Sequence, residues 1–263
     1  MSHTASPCLG VFDDPRYAAI ALARAKEFQH AAPFPHAVID DFLPDDVARA
    51  VSAAFPARDD LAWVERDNAN NRRRFQHDET KLPTLIREML REFNSRQFVL
   101  FLETLTGIDN LLPDPYFIGG GVHISEQGDF LNVHADFNWH HKLQAHRRCN
   151  ALLYLSEDWQ EGWGGATELW ARDMSERVVE VWPRFNRLLV FNTAEDSNHG
   201  APATNACPPG MVRKVLNLYY YTTHRDDAHG EALPHFTLYK TEASPTSVEI
   251  GEEYRAGAKR DRG

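Results

Sequence analysis

Hydrophobic and polar positions follow two regimes that meet near residue 116. Before that point the apolar residues mostly recur at helical spacing. PRYAAIALARAKEF at 15–28 is rich in alanine and sets Pro15 where a first helical turn tolerates it, which predicts a helix. PHAVIDDF at 35–42 alternates apolar and polar side chains as a strand does. LPDDVARAVSAAF at 43–55 opens with acidic residues suited to the positive end of a helix. The stretch 59–81, dense in Asp, Asn, Arg and Gln, predicts a loop. A further helix is expected from Pro83 to about Leu105, ended by Gly107. Its stripe of Ile86, Met89, Leu90, Phe93, Phe98 and Phe101 is suited to covering one face of a sheet.

After residue 116 the pattern changes to short apolar runs: YFIGGGVHIS, FLNVHAD, CNALLYLS, GGATELW, RVVEVWP, RLLVFN and KVLNLYYYT. Seven runs at this spacing predict the strands of a sandwich or barrel. Gly128, Gly162, Gly164, Gly165, Pro183 and the pair Pro208 and Pro209 fall between them, where turns need such residues. Beyond about residue 243 too little apolar content remains to pack, and a mobile tail is expected.

Composition narrows the function classes. With 263 residues, 43% hydrophobic and 25% charged, the chain suits one globular domain. A net charge of -10 argues against nucleic acid as a partner, because phosphate neutralisation needs a concentrated basic surface. The triplet Arg72, Arg73, Arg74 is read as a solvated loop and given no role. Cys8, Cys149 and Cys207 are odd in number and widely spaced, so they read as free thiols of a reducing compartment. The first residues hold no basic segment followed by an apolar one, and no run approaches ~18 apolar residues. A cytoplasmic protein that does not span a membrane is expected, as a monomer or homodimer.

The chemistry is concentrated in VHAD at 133–136. His134 and Asp136 are two residues apart, so on an extended chain their side chains leave the same face. A third ligand from a distant strand would complete the two-histidine, one-carboxylate set that suits Fe(II) and leaves positions open for substrate and O2. His199, in SNHGAP after RLLVFN, is the candidate. Arg213 follows 14 residues later at the head of RKVLNLYYY, where an inward guanidinium can grip a carboxylate through paired hydrogen bonds.

These segments together resemble the prolyl-hydroxylase-like branch of the 2-oxoglutarate and Fe(II)-dependent oxygenases over about residues 116–223. The resemblance rests on HAD at 134–136, RRCNALLYLSEDW at 147–159, the paired glycines of GWGGATELW at 162–170, the strand ending in FN, SNHGAP, and RKVLNLYYY. It implies a mainly β fold with N-terminal helices: a double-stranded β-helix, or cupin-like jelly-roll, with helices on its larger sheet. Helical support is then expected over 1–115, the catalytic core over 116–223 and an extension over 224–263. The resemblance assigns His134, Asp136 and His199 to iron, Arg213 to the distal carboxylate of 2-oxoglutarate, and Tyr154 as a hydroxyl partner of that carboxylate. The reaction implied is hydroxylation of an unactivated C–H with release of succinate and CO2. Fe(II), 2-oxoglutarate and O2 are the cofactors and co-substrates.

Two positions depart from the relatives. Ile124 stands where those acting on prolyl residues often carry a tyrosine, and Val215 where a hydroxyl residue is frequent. Asn217, on the same strand face as Val215, is the candidate replacement contact. For the substrate, the basic stretch FNWHHKLQAHRRCN at 137–150 offers Lys142, Arg147 and Arg148 to a carboxylate or phosphate, and Trp139 to a ring. A small, anionic molecule is weighed there against a peptidyl residue. The competing readings are a cupin-type metal enzyme that does not use 2-oxoglutarate and a non-catalytic ligand-binding jelly-roll. Arg213 argues against the first and the intact triad against the second. A structural zinc site lacks the usual four closed ligands.

Overall fold

Several of the apolar runs after residue 116 become strands buried on both faces, RLLVFN above all, which is why these are apolar throughout rather than alternating. The structure, a computed structural model, describes residues 6–60, 63–225 and 233–240. Its first part comprises α1 (Arg16–His30), β1 (His36–Ile39), α2 (Asp45–Ala53), β2 (Val64–Asp67), β3 (Asn71–Gln76), α3 (Thr84–Phe93) and α4 (Arg96–Thr106). There follow β4 (Leu112–Pro113), β5 (Gly121–Ser125), β6 (Phe130–Ala135), β7 (Trp139–His140), β8 (Ala145–Tyr154), β9 (Thr167–Trp170) and β10 (Arg177–Val181). β11 (Arg187–Asn192), β12 (His199–Ala201), β13 (Arg213–Thr222) and β14 (Leu238–Tyr239) complete the described elements. All seven expected strands are present. The tail expected to be mobile lies outside the described residues.

The strands pair antiparallel in one curled sheet, in the order β1-β11-β8-β13-β5-β3-β6-β12-β9-β10. This nearly closed, barrel-like arrangement is a double-stranded β-helix, as the resemblance implies. Period-two alternation divides its side chains between two environments. Leu188 and Val190 of β11, Ala151 and Leu153 of β8, and Leu216 and Leu218 of β13 face the helices. Leu189, Phe191, Tyr154 and Val215 face the barrel interior. Phe98 of α4 anchors the helical layer: it is fully buried among Phe12, Phe42, Phe93, Phe101 and Tyr220, with ring centroids 4.7 to 6.1 Å away. No helix among the described residues is long and apolar enough to cross a membrane.

Two expectations need correction. The helix expected over 83–105 is two helices, because the polar pair Asn94 and Ser95 interrupts it. The Ser95 hydroxyl accepts from the Phe98 amide (3.3 Å) as an N-cap for α4, while the Asn94 side chain donates to the Asp114 carbonyl (2.8 Å). Gly107 does end α4, in the left-handed conformation (φ 71°). The loop expected over 59–81 contains the hairpin β2–β3. Its outer face is held by charge: Glu65 stands opposite Arg74 and Asp67 opposite Arg72, with ion pairs of 3.1 and 3.2 Å. Apolar alternation, the usual strand signal, is largely absent there.

Phe98→Ala leaves a cavity at the centre of this aromatic layer and is expected to destabilise the fold by about 3–5 kcal/mol. Leu22→Ala, at a position 70% exposed, is expected to change stability by less than about 0.5 kcal/mol. Urea unfolding of both variants measures the difference.

Candidate metal and co-substrate site

The pairing of β6 with β12 sets His199 directly opposite His134, with ring centroids 4.5 Å apart. Gly200 makes that approach possible. A Cβ there would lie 2.8 Å from the Leu131 carbonyl oxygen and 2.9 Å from that of Asn132. Asp136, just past the end of β6, brings its Oδ1 to 3.5 Å from His134 Nε2 and its Oδ2 to 3.4 Å from His199 Nε2. One ligand atom from each of the three residues lies within 4.8 Å of the others. Among the described residues, no other group of His, Cys, Asp and Glu converges this way.

Backbone carbonyls fix the tautomers. His134 Nδ1–H donates to the Asn132 carbonyl (2.8 Å) and His199 Nδ1–H to the Ser197 carbonyl (2.9 Å). A carbonyl oxygen only accepts, so Nδ1 carries a proton in each ring and Nε2 is the atom left to offer a lone pair to a metal. Burial, and next the neighbouring His199, lower the proton affinity of His134. Burial opposes ionisation of Asp136, but Arg147 above all holds its carboxyl well below the usual range. Two imidazole nitrogens and a carboxylate converge there. The donor set therefore fits a divalent transition metal with coordination positions left open.

Arg147 is the counter-charge. Only 1% exposed, it places Nη2 2.9 Å from Asp136 Oδ2, and its Nε donates to Asn150 Oδ1 (2.9 Å). Asn150 Nδ2 donates in turn to Asp136 Oδ2 (2.7 Å). The guanidinium lies over the rings of Tyr219 (3.4 Å) and Phe137 (4.5 Å).

The triad borders a cavity of about 380 Å³ that Arg213 also lines. Arg213 Nη2 donates to Thr167 Oγ1 (3.2 Å), while its buried Nε has no partner among the described residues. Burial lowers its pKa, as expected for a guanidinium without an acidic partner. Gly165, at φ +74°, makes room for it: a Cβ would come within 3.1 Å of Arg213 Cδ. A half-buried guanidinium with no acidic partner and an unpartnered Nε, beside a three-donor cluster, suits a dicarboxylate that reaches both.

Several expected contacts lie elsewhere. Tyr154 does not line the cavity; its hydroxyl donates to Thr167 Oγ1 (2.8 Å), and Thr167 itself forms part of the wall. Asn217 does line it, donating through Nδ2 to the Tyr219 hydroxyl (2.9 Å) with Oδ1 unpartnered. Trp139 packs edge-on against His146 at 4.8 Å and is not in the wall. Nor is Arg148, which donates to Thr222 Oγ1 (3.1 Å). Lys142 sits over the Tyr116 ring at 4.3 Å, also outside the wall. Of the basic stretch 137–150, only Arg147 among these candidates reaches the cavity, and it is already paired with Asp136.

Ile124 faces the helical core, so its neighbours His123 and Ser125 take the cavity positions of β5. His123 stays neutral: burial, and next Arg73, push its pKa down to about 3. His123, Thr167, Arg66 and Arg73 are wall residues that the sequence reading missed. Strand alternation on the hairpin β2–β3 would have found the last two, had the hairpin been recognised.

Arg147→Met leaves the Asp136 carboxylate largely buried without its guanidinium partner. The metal-free variant is expected to lose about 3–5 kcal/mol of stability. Saturating Mn(II) should restore more stability to the variant than it adds to the parent, because the cation takes over the missing charge. Urea unfolding with and without Mn(II) checks both expectations.

Comparison with known proteins agrees with this geometry. Residues 120–221 match the family described as the 2OG-Fe(II) oxygenase superfamily, a span that contains His134, Asp136, His199 and Arg213. No curated protein matches the sequence. Among solved structures, a Pseudomonas putida prolyl-4-hydroxylase has a TM-score of 0.57 at 20% identity, over 77% of this chain and 98% of that one. A Trichoplax adhaerens prolyl hydroxylase, solved with a hypoxia inducible factor peptide fragment, gives 0.53 at 16% identity, over 80% and 92%. HygX from Streptomyces hygroscopicus, solved with nickel, 2-oxoglutarate and hygromycin B, gives 0.51 at 12% identity, over 76% and 87%. These likenesses establish a shared fold. Over residues 120–221 the chain is similar to the 2OG-Fe(II) oxygenase superfamily, and its fold is that of the prolyl hydroxylases.

Proposed function

We propose that His134, Asp136 and His199 hold the Fe(II), that Arg213 binds the distal carboxylate of 2-oxoglutarate, and that the enzyme hydroxylates a C–H bond of a small molecule or peptidyl residue. The observation that carries this reading is the convergence of ligand atoms from His134, Asp136 and His199 in a cavity whose wall includes a guanidinium without an acidic partner. Bound there, Fe(II) would supply the oxidising chemistry, coupling decarboxylation of 2-oxoglutarate to succinate with attack on the substrate C–H.

The chain's own residues prepare that chemistry. The Asn132 and Ser197 carbonyls keep both imidazoles in the tautomer that presents Nε2. Arg147 and Asn150 hold Asp136 ionised and oriented. Thr167 orients Arg213, and Tyr154 orients Thr167, so the phenol expected to touch the co-substrate acts one residue removed. Asn217 Oδ1 and Arg213 Nε are polar atoms left free toward the cavity. The side chains of Phe191, Leu152 and Val215 give the wall an apolar part that excludes water.

The oxygenase fold fills the chain as one domain in this reading, with residues 1–115 supporting the core. A cytoplasmic location is supported by Cys8, Cys149 and Cys207, which are buried free thiols. A monomer or homodimer without nucleic-acid partners accords with the net charge of -10.

Anaerobic titration of the Fe(II)-loaded protein with 2-oxoglutarate should produce the weak visible charge-transfer band of keto-acid chelation. His199→Ala should abolish it. Among turnover variants, His134→Ala and Asp136→Ala should release no succinate, while Arg213→Ala should mainly raise the 2-oxoglutarate requirement, by about tenfold or more for a lost charge-assisted pair. Full activity in either ligand variant would contradict the proposal, and iron binding without the band would favour a cupin-type enzyme that does not use 2-oxoglutarate.

A further inference from the structure

We infer that the substrate is a small anion, bearing a carboxylate or phosphate, and that Arg66 and Arg73 on the hairpin β2–β3 recognise it. The inference rests on the oxygenase reading for its chemistry, but its evidence is separate.

The two faces of the hairpin are built by opposite rules. On the outer face each arginine stands opposite an acid, Arg74 facing Glu65 and Arg72 facing Asp67. Arg74 is further paired with Glu126 (3.1 Å) and Asp129 (3.3 Å). On the inner face the same register sets Arg73 directly opposite Arg66. Like charges facing each other across a strand pair are destabilising. Neither arginine has an acidic partner among the described residues, and Arg73 Nε is buried without a hydrogen bond. Both nonetheless line the cavity beside Phe75. In a chain of net charge -10, two facing arginines without a carboxylate between them mark a place where an anion from outside completes the pairing.

The anion is not the co-substrate. Its two carboxylates are accounted for by the metal and Arg213. The acidic residues of the wall do not offer neutralisation either: Asp136 is paired with Arg147 and Asp129 with Arg74. The cavity of about 380 Å³ has room for 2-oxoglutarate together with the reacting part of such an anion. Phe75, Phe130 and Tyr239 supply an apolar surface next to the two guanidiniums, so the anionic end would lie on the hairpin and the carbon skeleton would run toward the metal ligands. Arg66 and Arg73 thus replace Arg148 and Trp139 as the specificity-determining candidates.

The test uses the Fe(II)- and 2-oxoglutarate-loaded protein under anaerobic conditions, with benzoate, phenyl phosphate and uncharged benzamide as probes, titrated by calorimetry. At least one anionic probe should bind about tenfold or more tighter than benzamide, with a preference that weakens as salt is raised. Arg73→Gln and Arg66→Gln should each reduce that preference, and Arg72→Gln on the outer face should leave it intact. The charge-transfer band in each variant verifies that the site is still assembled. Whichever of benzoate or phenyl phosphate binds tighter distinguishes a carboxylate from a phosphate substrate. No preference for either anion, or a preference that survives both Arg73→Gln and Arg66→Gln, would overturn the inference. A preserved anion preference without the band would instead remove the oxygenase reading and leave the anion site standing.

Discussion

A carboxylate buried between two histidines is the constraint on which the rest of this structure depends. Asp136 is only 9% exposed, so water stabilises its charge poorly and the fold must supply much of the compensation. Arg147 and Asn150 supply it from β8, and both are buried with it. Arg147 in turn is held between the rings of Tyr219 and Phe137. Because the compensation comes from a neighbouring strand, the charge balance of the site is tied to the register of the sheet. A slip of one residue would send these side chains to the helical core.

The same alternation that divides core from cavity also gives each layer its task. Leu216 and Leu218 of β13 are packed against the helices, while Arg213, Val215, Asn217 and Tyr219 face inward. The helical layer, centred on Phe98, backs the strands that carry Arg147, Asn150 and Arg213 and so helps to hold those groups in place. On the opposite side the hairpin β2–β3 lines the cavity with buried Phe75 and the charged side chains of Arg66 and Arg73. A packed back wall and a charged rim are consistent with a site that fixes its metal and co-substrate rigidly and selects its substrate electrostatically.

Much of this was legible in the sequence where a single physical rule applied. Short apolar runs between turn residues identified the seven strands, and the i, i+2 spacing of His134 and Asp136 predicted that their side chains leave together. Bringing in His199 required the register of β6 against β12, which no local pattern encodes; only its place after RLLVFN and before Arg213 suggested it. The failures are equally specific. The hairpin was missed because its strands alternate in charge pairing rather than hydrophobicity, and with it went Arg66 and Arg73. The break between α3 and α4 was missed because the apolar stripe continues across Asn94 and Ser95. Trp139 and Arg148 were chosen for closeness in sequence to the metal-ligand motif, but β7 and β8 turn them away from the cavity. His123 was obscured because Ile124, one residue on, was compared with the relatives' tyrosine while the strand pleat sends that position into the core.

The most direct test of the central claim is crystallographic: anomalous diffraction at the manganese edge from crystals grown with Mn(II) and 2-oxoglutarate. The account predicts a peak bonded to Nε2 of His134, Nε2 of His199 and the Asp136 carboxylate, with the far carboxylate of 2-oxoglutarate on Arg213. A peak held by other residues, or a 2-oxoglutarate bound away from Arg213, would contradict it.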